Sequence, residues 1–173
     1  MMKIGTMKVG IVAVAASLVA SAAAAHVVLD KREAPVGTYF KAVFQVGHGC
    51  DGSPTTGLLV RIPDGVIAAK PMVKPGWTIE LTKGAYAQEH AHHGHAVSEG
   101  VRSVRWTGTL PDEHYDEFAV SMMLTDALKP GTTLYFPVIQ TCEQGESQWV
   151  DVPDTGKPAS KTPAPGLALL PKR

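Results

Sequence analysis

The sequence is poor in cysteine and has no excess of charge of one sign. It has two cysteines in 173 residues and no Cys-x-x-Cys spacing, which argues against a thiolate metal site. Sixteen basic residues balance sixteen acidic ones without a basic stripe, which excludes nucleic acid as an expected partner. No helical period persists for a dozen residues, and no nucleophile elbow or other catalytic spacing is present. These absences favour an all-β binding protein over an enzyme.

The first 25 residues have the features of a secretory signal peptide. Lys3 and Lys8 precede an apolar run over residues 9–20, and small residues follow up to Ala25. We expect cleavage after Ala25 and export across the inner membrane, to the periplasm. Beyond this leader no apolar segment is long enough to cross a membrane. Residues 26–173 are of a length that suits one domain, and loss of the two leader lysines leaves them slightly acidic.

Cleavage after Ala25 would make His26 the first residue of the mature chain. A terminal histidine offers two nitrogens at chelating distance, the α-amine and ring Nδ1. Cu(II) prefers such planar nitrogen sites, so His26 is a candidate copper ligand. The amine must lose its proton to bind, and affinity should therefore fall on acidification. The alternative, that cleavage leaves a histidine first by chance, stays open at this point.

The two cysteines, Cys50 and Cys142, are predicted to form one disulfide. An even cysteine count in an exported chain is typical of such a bond. The bridge would close a long loop, which the chain-entropy model values at about 4–5 kcal/mol of stability. It would also bring two distant parts of the domain together.

Short alternating segments separated by turn signals predict an all-β fold. Seven or eight such strands favour one antiparallel β-sandwich, immunoglobulin-like or cupredoxin-like, over residues 26–152. Residues 153–173 are rich in Pro, Lys, Ala and Thr, and we expect a flexible tail there. The predicted strands are residues 38–46, 57–62, 77–81, 101–107, 117–124, 133–140 and 148–152, with 26–30 as an additional edge strand.

Three further residues are candidates for a metal site. His48 and Asp51 lie in a glycine-rich segment around Cys50 and could supply ligands; the alternative is an ordinary turn held by the disulfide. Trp149 follows Cys142 closely, so the disulfide would bring it near that loop. Its indole face could then meet a bound cation, although core packing is an equal alternative.

The densest histidine cluster is the segment from Glu89 to His95. Its surroundings predict a long hairpin loop. Such tracts bind metals weakly and without fixed geometry, so an auxiliary metal site and a solvated loop both remain open. The histidines concerned are His90, His92, His93 and His95.

Taken together, these features resemble the YcnI-like family of bacterial copper-binding domains. The resemblance spans about residues 26–152 and depends on His26-Val27 directly after the leader and on several short motifs. The motifs are residues 49–56, 74–77, 104–108, Glu117-Phe118 and Gly145 with Trp149.

The family resemblance implies a small β-sandwich that binds Cu(II) through a one-histidine brace. The implied ligands are the amine and imidazole of His26 and a carboxylate, with Trp149 beside the metal. Asp51 is the expected carboxylate, and His48 or Glu143 could replace it.

The expected function is therefore that of a copper chaperone or buffer in copper homeostasis. Its expected partners are the copper ion and another periplasmic or membrane copper-handling protein. Two alternatives remain: a metal-free structural or assembly module, and a copper-dependent oxidative enzyme acting on glycans. The second would need another ordered histidine, for which His48 and His114 are the candidates outside the cluster.

Overall fold

The computed structural model describes residues 26–154, 156, 158 and 160–172, and the predicted signal peptide lies outside them. Within these residues the chain forms strands and turns but no helix, so none could span a membrane. The strands are β1 (Val28–Leu29), β2 (Glu33–Pro35), β3 (Thr38–Val46), β4 (Thr55–Arg61), β5 (Val66–Pro71), β6 (Thr78–His92), β7 (His95–Leu110), β8 (Asp116–Leu124), β9 (Thr133–Tyr135), β10 (Val138–Cys142), β11 (Glu146–Trp149) and β12 (Gly166–Leu170).

The strands form two larger sheets and one small one. The four-stranded sheet has the order β1-β3-β8-β5, and the five-stranded sheet has the order β11-β10-β4-β7-β6. Every pairing within these two sheets is antiparallel. The third sheet, β2-β12-β9, contains the parallel pair β12–β2. The predicted antiparallel β-sandwich is confirmed.

The hydrophobic core lies between the two larger sheets. Trp106 of β7 and Phe118 of β8 meet across it with ring centroids 5.5 Å apart, and both side chains are fully buried. On β3 the alternation predicted from sequence holds, since Phe40 and Phe44 face the core. Each such side chain removed from water contributes about 1.5–3 kcal/mol.

Several predicted strands have different bounds in the structure. Pro137 separates β9 from β10, where the sequence pattern suggested one strand over residues 133–140, because proline cannot donate a ladder hydrogen bond. β5 was not predicted, since its small alanines give little alternation. The His-rich segment predicted as a long loop is instead the end of a β-hairpin formed by β6 and β7.

The prediction of a flexible tail over residues 153–173 is wrong for its later part. Residues 166–170 form β12, which pairs with both β2 and β9. Leu167 and Leu169 are buried in the core, 0% and 3% exposed. The apolar pattern Leu-Ala-Leu-Leu therefore closes the domain, and the domain extends past residue 152.

Candidate metal centre

The disulfide ties two halves of the candidate site together. Cys50 and Cys142 are bonded, with their Cα atoms 5.9 Å apart, which confirms the predicted bridge. Cys50 belongs to the segment after β3, and Cys142 ends β10. The bond thus holds the loop of residues 47–53 against the β10–β11 hairpin, which contains Trp149.

His26 enters the fold beside the same end of β3. β1 runs antiparallel to β3, with Val28 opposite Gln45, so the preceding residue His26 lies towards the segment that follows β3. Its imidazole is partly exposed and its Nε2 lies 3.0 Å from the carbonyl oxygen of Lys161. A carbonyl oxygen only accepts, so Nε2 must hold the proton. In a neutral imidazole Nδ1 is then unprotonated and free to bind a metal.

Trp149 lies directly against this imidazole. The two ring centroids are 5.3 Å apart and the rings are nearly perpendicular, at 82°. Trp149 is 6% exposed, so its indole is mostly packed in the core with one part beside His26. The core-packing interpretation and the metal-site interpretation of Trp149 are therefore compatible.

Gln140 fixes the position of Trp149 and was not identified from the sequence. Its Oε1 accepts from Trp149 Nε1 at 3.0 Å. Its Nε2 donates to the His48 carbonyl oxygen at 2.7 Å and to Thr55 Oγ1 at 2.8 Å. Gln140 is 1% exposed. A glutamine at an inward position of an alternating strand was the available signal, because a buried amide needs partners.

A short segment of residues 160–164, here called the strap, completes the surroundings of His26. Backbone hydrogen bonds join it to Asp151: Asp151 N donates to Thr162 O at 3.1 Å and Ala164 N donates to Asp151 O at 2.9 Å. Asp151 follows Trp149 by two residues, so strap and tryptophan are held by the same piece of chain. A solvent-open cleft of about 290 Å³ lies between the strap and the amino-terminal segment, and His26 lines it.

The Asp151 side chain also binds the strap. Its carboxylate accepts from the hydroxyl of Ser160 and from that of Thr162, the latter at 2.8 Å. These hydrogen bonds, Ser160 first, lower the pKa of Asp151 below its usual value. The strap is thus attached through both backbone and side chain.

Asp51 and His48 lie in the loop where the sequence placed them. Asp51 and Gly52 occupy a tight turn, with φ of 50° and 84°, closed by hydrogen bonds between Cys50 and Ser53. The Asp51 side chain is exposed. Asp112 anchors the loop, because its carboxylate accepts a hydrogen bond from Gly49 N at 2.7 Å. Sequence analysis did not identify Asp112 as a site residue. The Nδ1 of His48 contacts the Gly49 carbonyl oxygen.

These positions bring His26 and Trp149 together, whereas Asp51 and His48 sit on the neighbouring loop. Within the described residues, no three His, Cys, Asp or Glu side chains are grouped so as to hold a metal. A one-histidine brace needs no such group, because one residue supplies two nitrogens, its α-amine and its imidazole Nδ1. The carboxylate ligand at Asp51 stays a prediction.

The four clustered histidines have different surroundings. His90 is buried, and its ring lies 5.7 Å from that of Tyr86. His92 and His93 contact Tyr39 on β3, and His95 is exposed opposite His92 in the hairpin.

The architecture is an immunoglobulin-like β-sandwich, and its carboxy-terminal strand β12 pairs with β2 and β9. The chain is similar to the crystal structure of an uncharacterized protein from Nocardia farcinica described as having an immunoglobulin-like fold. The two are 26% identical with a TM-score of 0.62, over 84% of this chain and 98% of the other.

The sequence also matches a family model. Residues 26–169 match the family described as "Domain of unknown function (DUF1775)", and the chain belongs to that family. The match begins at His26 and extends into β12. No curated protein gives a significant match.

Proposed function

We propose that this protein is a YcnI-like copper-binding domain that captures Cu(II) through an amino-terminal one-histidine brace. The copper ion is its cargo, and the protein acts as an exported copper chaperone or buffer and not as an enzyme. The α-amine of His26, released by cleavage after Ala25, and the imidazole Nδ1 are the two nitrogen ligands. Together with the metal they close a six-membered chelate ring.

One observation supports this proposal above the others: the hydrogen bond between His26 Nε2 and the Lys161 carbonyl oxygen, at 3.0 Å. It places the ring proton on Nε2, and the nitrogen left unprotonated is the one that a brace requires. A second partner of this kind is typical of metal-binding histidines, where it fixes the tautomer and the ring orientation.

Trp149 supports the proposal by its place beside the imidazole. Its indole excludes solvent from one side of His26, and an aromatic face attracts a nearby cation. Gln140 and the disulfide hold the Trp149 indole in place, so its position does not depend on a bound metal. His26 also lines a cleft open to solvent, through which copper could enter and leave.

The remaining equatorial positions need oxygen ligands. We assign one to Asp51, whose exposed carboxylate lies on the loop that the disulfide holds near Trp149. Water or a group from the receiving protein would fill the last. Protonation of the amine would release copper, since the amine binds only in its neutral form. We place the protein in the periplasm, with a second copper-handling protein as the recipient.

The test compares two purified proteins: the chain starting at His26, and the same chain with the substitution His26→Ala. Electron paramagnetic resonance with one equivalent of Cu(II) should show two nitrogen ligands in the first protein. In the second the imidazole ligand is absent, and affinity should fall at least a hundredfold. Equal binding by both proteins would exclude the brace. Mass spectrometry of exported protein should independently give His26 as the first residue.

A further inference from the structure

Two histidines and a tyrosine converge at the tip of the β6–β7 hairpin. The hydroxyl oxygen of Tyr39 lies 2.7 Å from His92 Nε2 and 3.2 Å from His93 Nε2. The two imidazole centroids are 4.3 Å apart. Three side-chain atoms that can each bind a metal therefore point to one place. It lies near the first residue of β3, at the end of this strand away from its pairing with β1.

The hairpin tip is held there by packing against the four-stranded sheet. Tyr39, Met123 and Ile67 are cross-strand partners in one row across β3, β8 and β5. Ile67 is 1% exposed and lines a cleft together with His92 and Tyr86 of the hairpin. The hairpin thus covers the outer side of this sheet near β5, and its end reaches Tyr39. The histidines are consequently not on a free loop.

The turn itself requires an unusual conformation of His93. His93 and Gly94 connect the paired residues His92 and His95, and both have positive φ, 50° and 79°. Two-residue hairpin turns of this kind favour Asn-Gly, and a residue with a larger side chain costs free energy there. The conformation turns the His93 ring back towards Tyr39, where its centroid lies 6.4 Å from the phenol ring.

We propose that His92 Nε2, His93 Nε2 and Tyr39 Oη form a second metal site, for a divalent ion that prefers imidazole, such as Zn(II). Ligands about 2.0–2.1 Å from a tetrahedral ion lie roughly 3.3 Å from each other. The observed separations from Tyr39 Oη, 2.7 and 3.2 Å, require only a small expansion. Water fills the fourth position, because the tip is exposed.

Proton balance at this site is simple. Each neutral imidazole moves its proton to Nδ1 so that Nε2 can bind, through exchange with solvent. The Tyr39 hydroxyl releases its proton to solvent when its oxygen binds the metal. Binding should therefore strengthen as pH rises.

The other two histidines of the cluster have no part in this site. His90 is buried, and its ring lies 5.7 Å from that of Tyr86. His95 is directly opposite His92, so their Cβ atoms are about 4.5–5.5 Å apart. His95 is exposed and serves as the matched control: a disordered histidine tract would use it, whereas the proposed site does not.

The experiment uses Zn(II) as the probe and the chain with His26→Ala, in which the brace is absent. Isothermal titration should show one Zn(II) bound. His92→Ala and His93→Ala should each weaken binding at least tenfold, Tyr39→Phe should weaken it several-fold, and His95→Ala should leave it within twofold. Absence of Zn(II) binding, or equal losses from His95→Ala and His92→Ala, would overturn the proposal.

Failure here is distinguishable from failure of the brace, because the brace is absent from every protein in this titration. The circular dichroism and thermal unfolding of each variant are compared with those of the His26→Ala chain. Unchanged unfolding shows that a loss of Zn(II) binding comes from the removed ligand and not from misfolding.

Discussion

His26 Nε2 and the Lys161 carbonyl oxygen are 3.0 Å apart, although 135 positions separate these residues in the chain. The first histidine after the expected cleavage site is therefore oriented by nearly the last part of the domain. A backbone carbonyl makes this contact, so substitution of the Lys161 side chain would leave it in place. The position of the strap backbone therefore decides how the His26 imidazole is oriented.

Loosening the strap should weaken copper binding without unfolding the domain. In the double variant Ser160→Ala/Thr162→Ala, Asp151 loses both hydroxyl partners, while the backbone bonds to the strap remain. We expect Cu(II) affinity to fall several-fold in competition titrations, because the imidazole becomes less well oriented. Thr132→Ala, which removes a hydroxyl contact at a distant turn, is the control and should bind Cu(II) normally.

Acidification should loosen the strap only well below neutral pH. The pKa of Asp151 is lowered in the fold by hydrogen bonds from Ser160 and Thr162. Its contribution to stability is therefore complete above the ordinary aspartate value, about 3.9, and is lost as pH falls through the lower folded value. Hydrogen exchange of the strap amides should change in that acid range. The same change in an Asp151→Asn protein would show that another group is responsible.

Removal of the buried amide of Gln140 should destabilise the domain. Gln140→Leu leaves Trp149 Nε1, Thr55 Oγ1 and the His48 carbonyl oxygen without this partner. We expect the free energy of unfolding to fall by about 2–4 kcal/mol, since each unsatisfied buried group costs about 1–3 kcal/mol. Urea titration measures it. The matched control is Gln148→Leu, at an exposed position of β11, where a loss above about 0.5 kcal/mol would contradict the argument.

Loss of the disulfide should have a large effect as well. Cys50 and Cys142 are 92 positions apart, and the double variant to Ser should lose about 2–5 kcal/mol of unfolding free energy. Because the bond holds the 47–53 loop beside the β10–β11 hairpin, Cu(II) affinity should fall with it. Reduction of the parent protein with dithiothreitol should reproduce both effects. Equal stability of the reduced and oxidised proteins would show that the disulfide does not stabilise the domain.

The carboxy-terminal strand should be part of the cooperative unit. Leu167 is fully buried, so Leu167→Ala should cost about 2–5 kcal/mol in urea unfolding. Leu81, which is 45% exposed on β6, is the matched control, and its substitution by Ala should change stability little. If the two substitutions cost the same small amount, β12 does not contribute to the core in solution.

Local patterns were sufficient for much of this fold. Apolar residues alternate along β3 at Phe40, Ala42, Phe44 and Val46, because side chains of a strand have a two-residue period. This period does not depend on which strand is the neighbour, so the sequence predicts β3 with its observed bounds. Two cysteines leave one pairing to predict, and that pairing is present. The predicted leader alone makes His26 a ligand candidate.

Residues 160–172 show what the sequence by itself did not determine. Their proline-rich composition is typical of a linker, and Leu167 and Leu169 become core residues only because β2 and β9 leave a place between them. The contacts of Gln140 with Trp149, of Tyr39 with His92, and of His26 with the strap likewise join residues from distant strands. Strand periodicity depends on residues that are neighbours in the chain, so the sequence alone determines it. The partners of a buried amide or an imidazole depend on the order of the strands in the sheets and on packing, and only the tertiary structure establishes these.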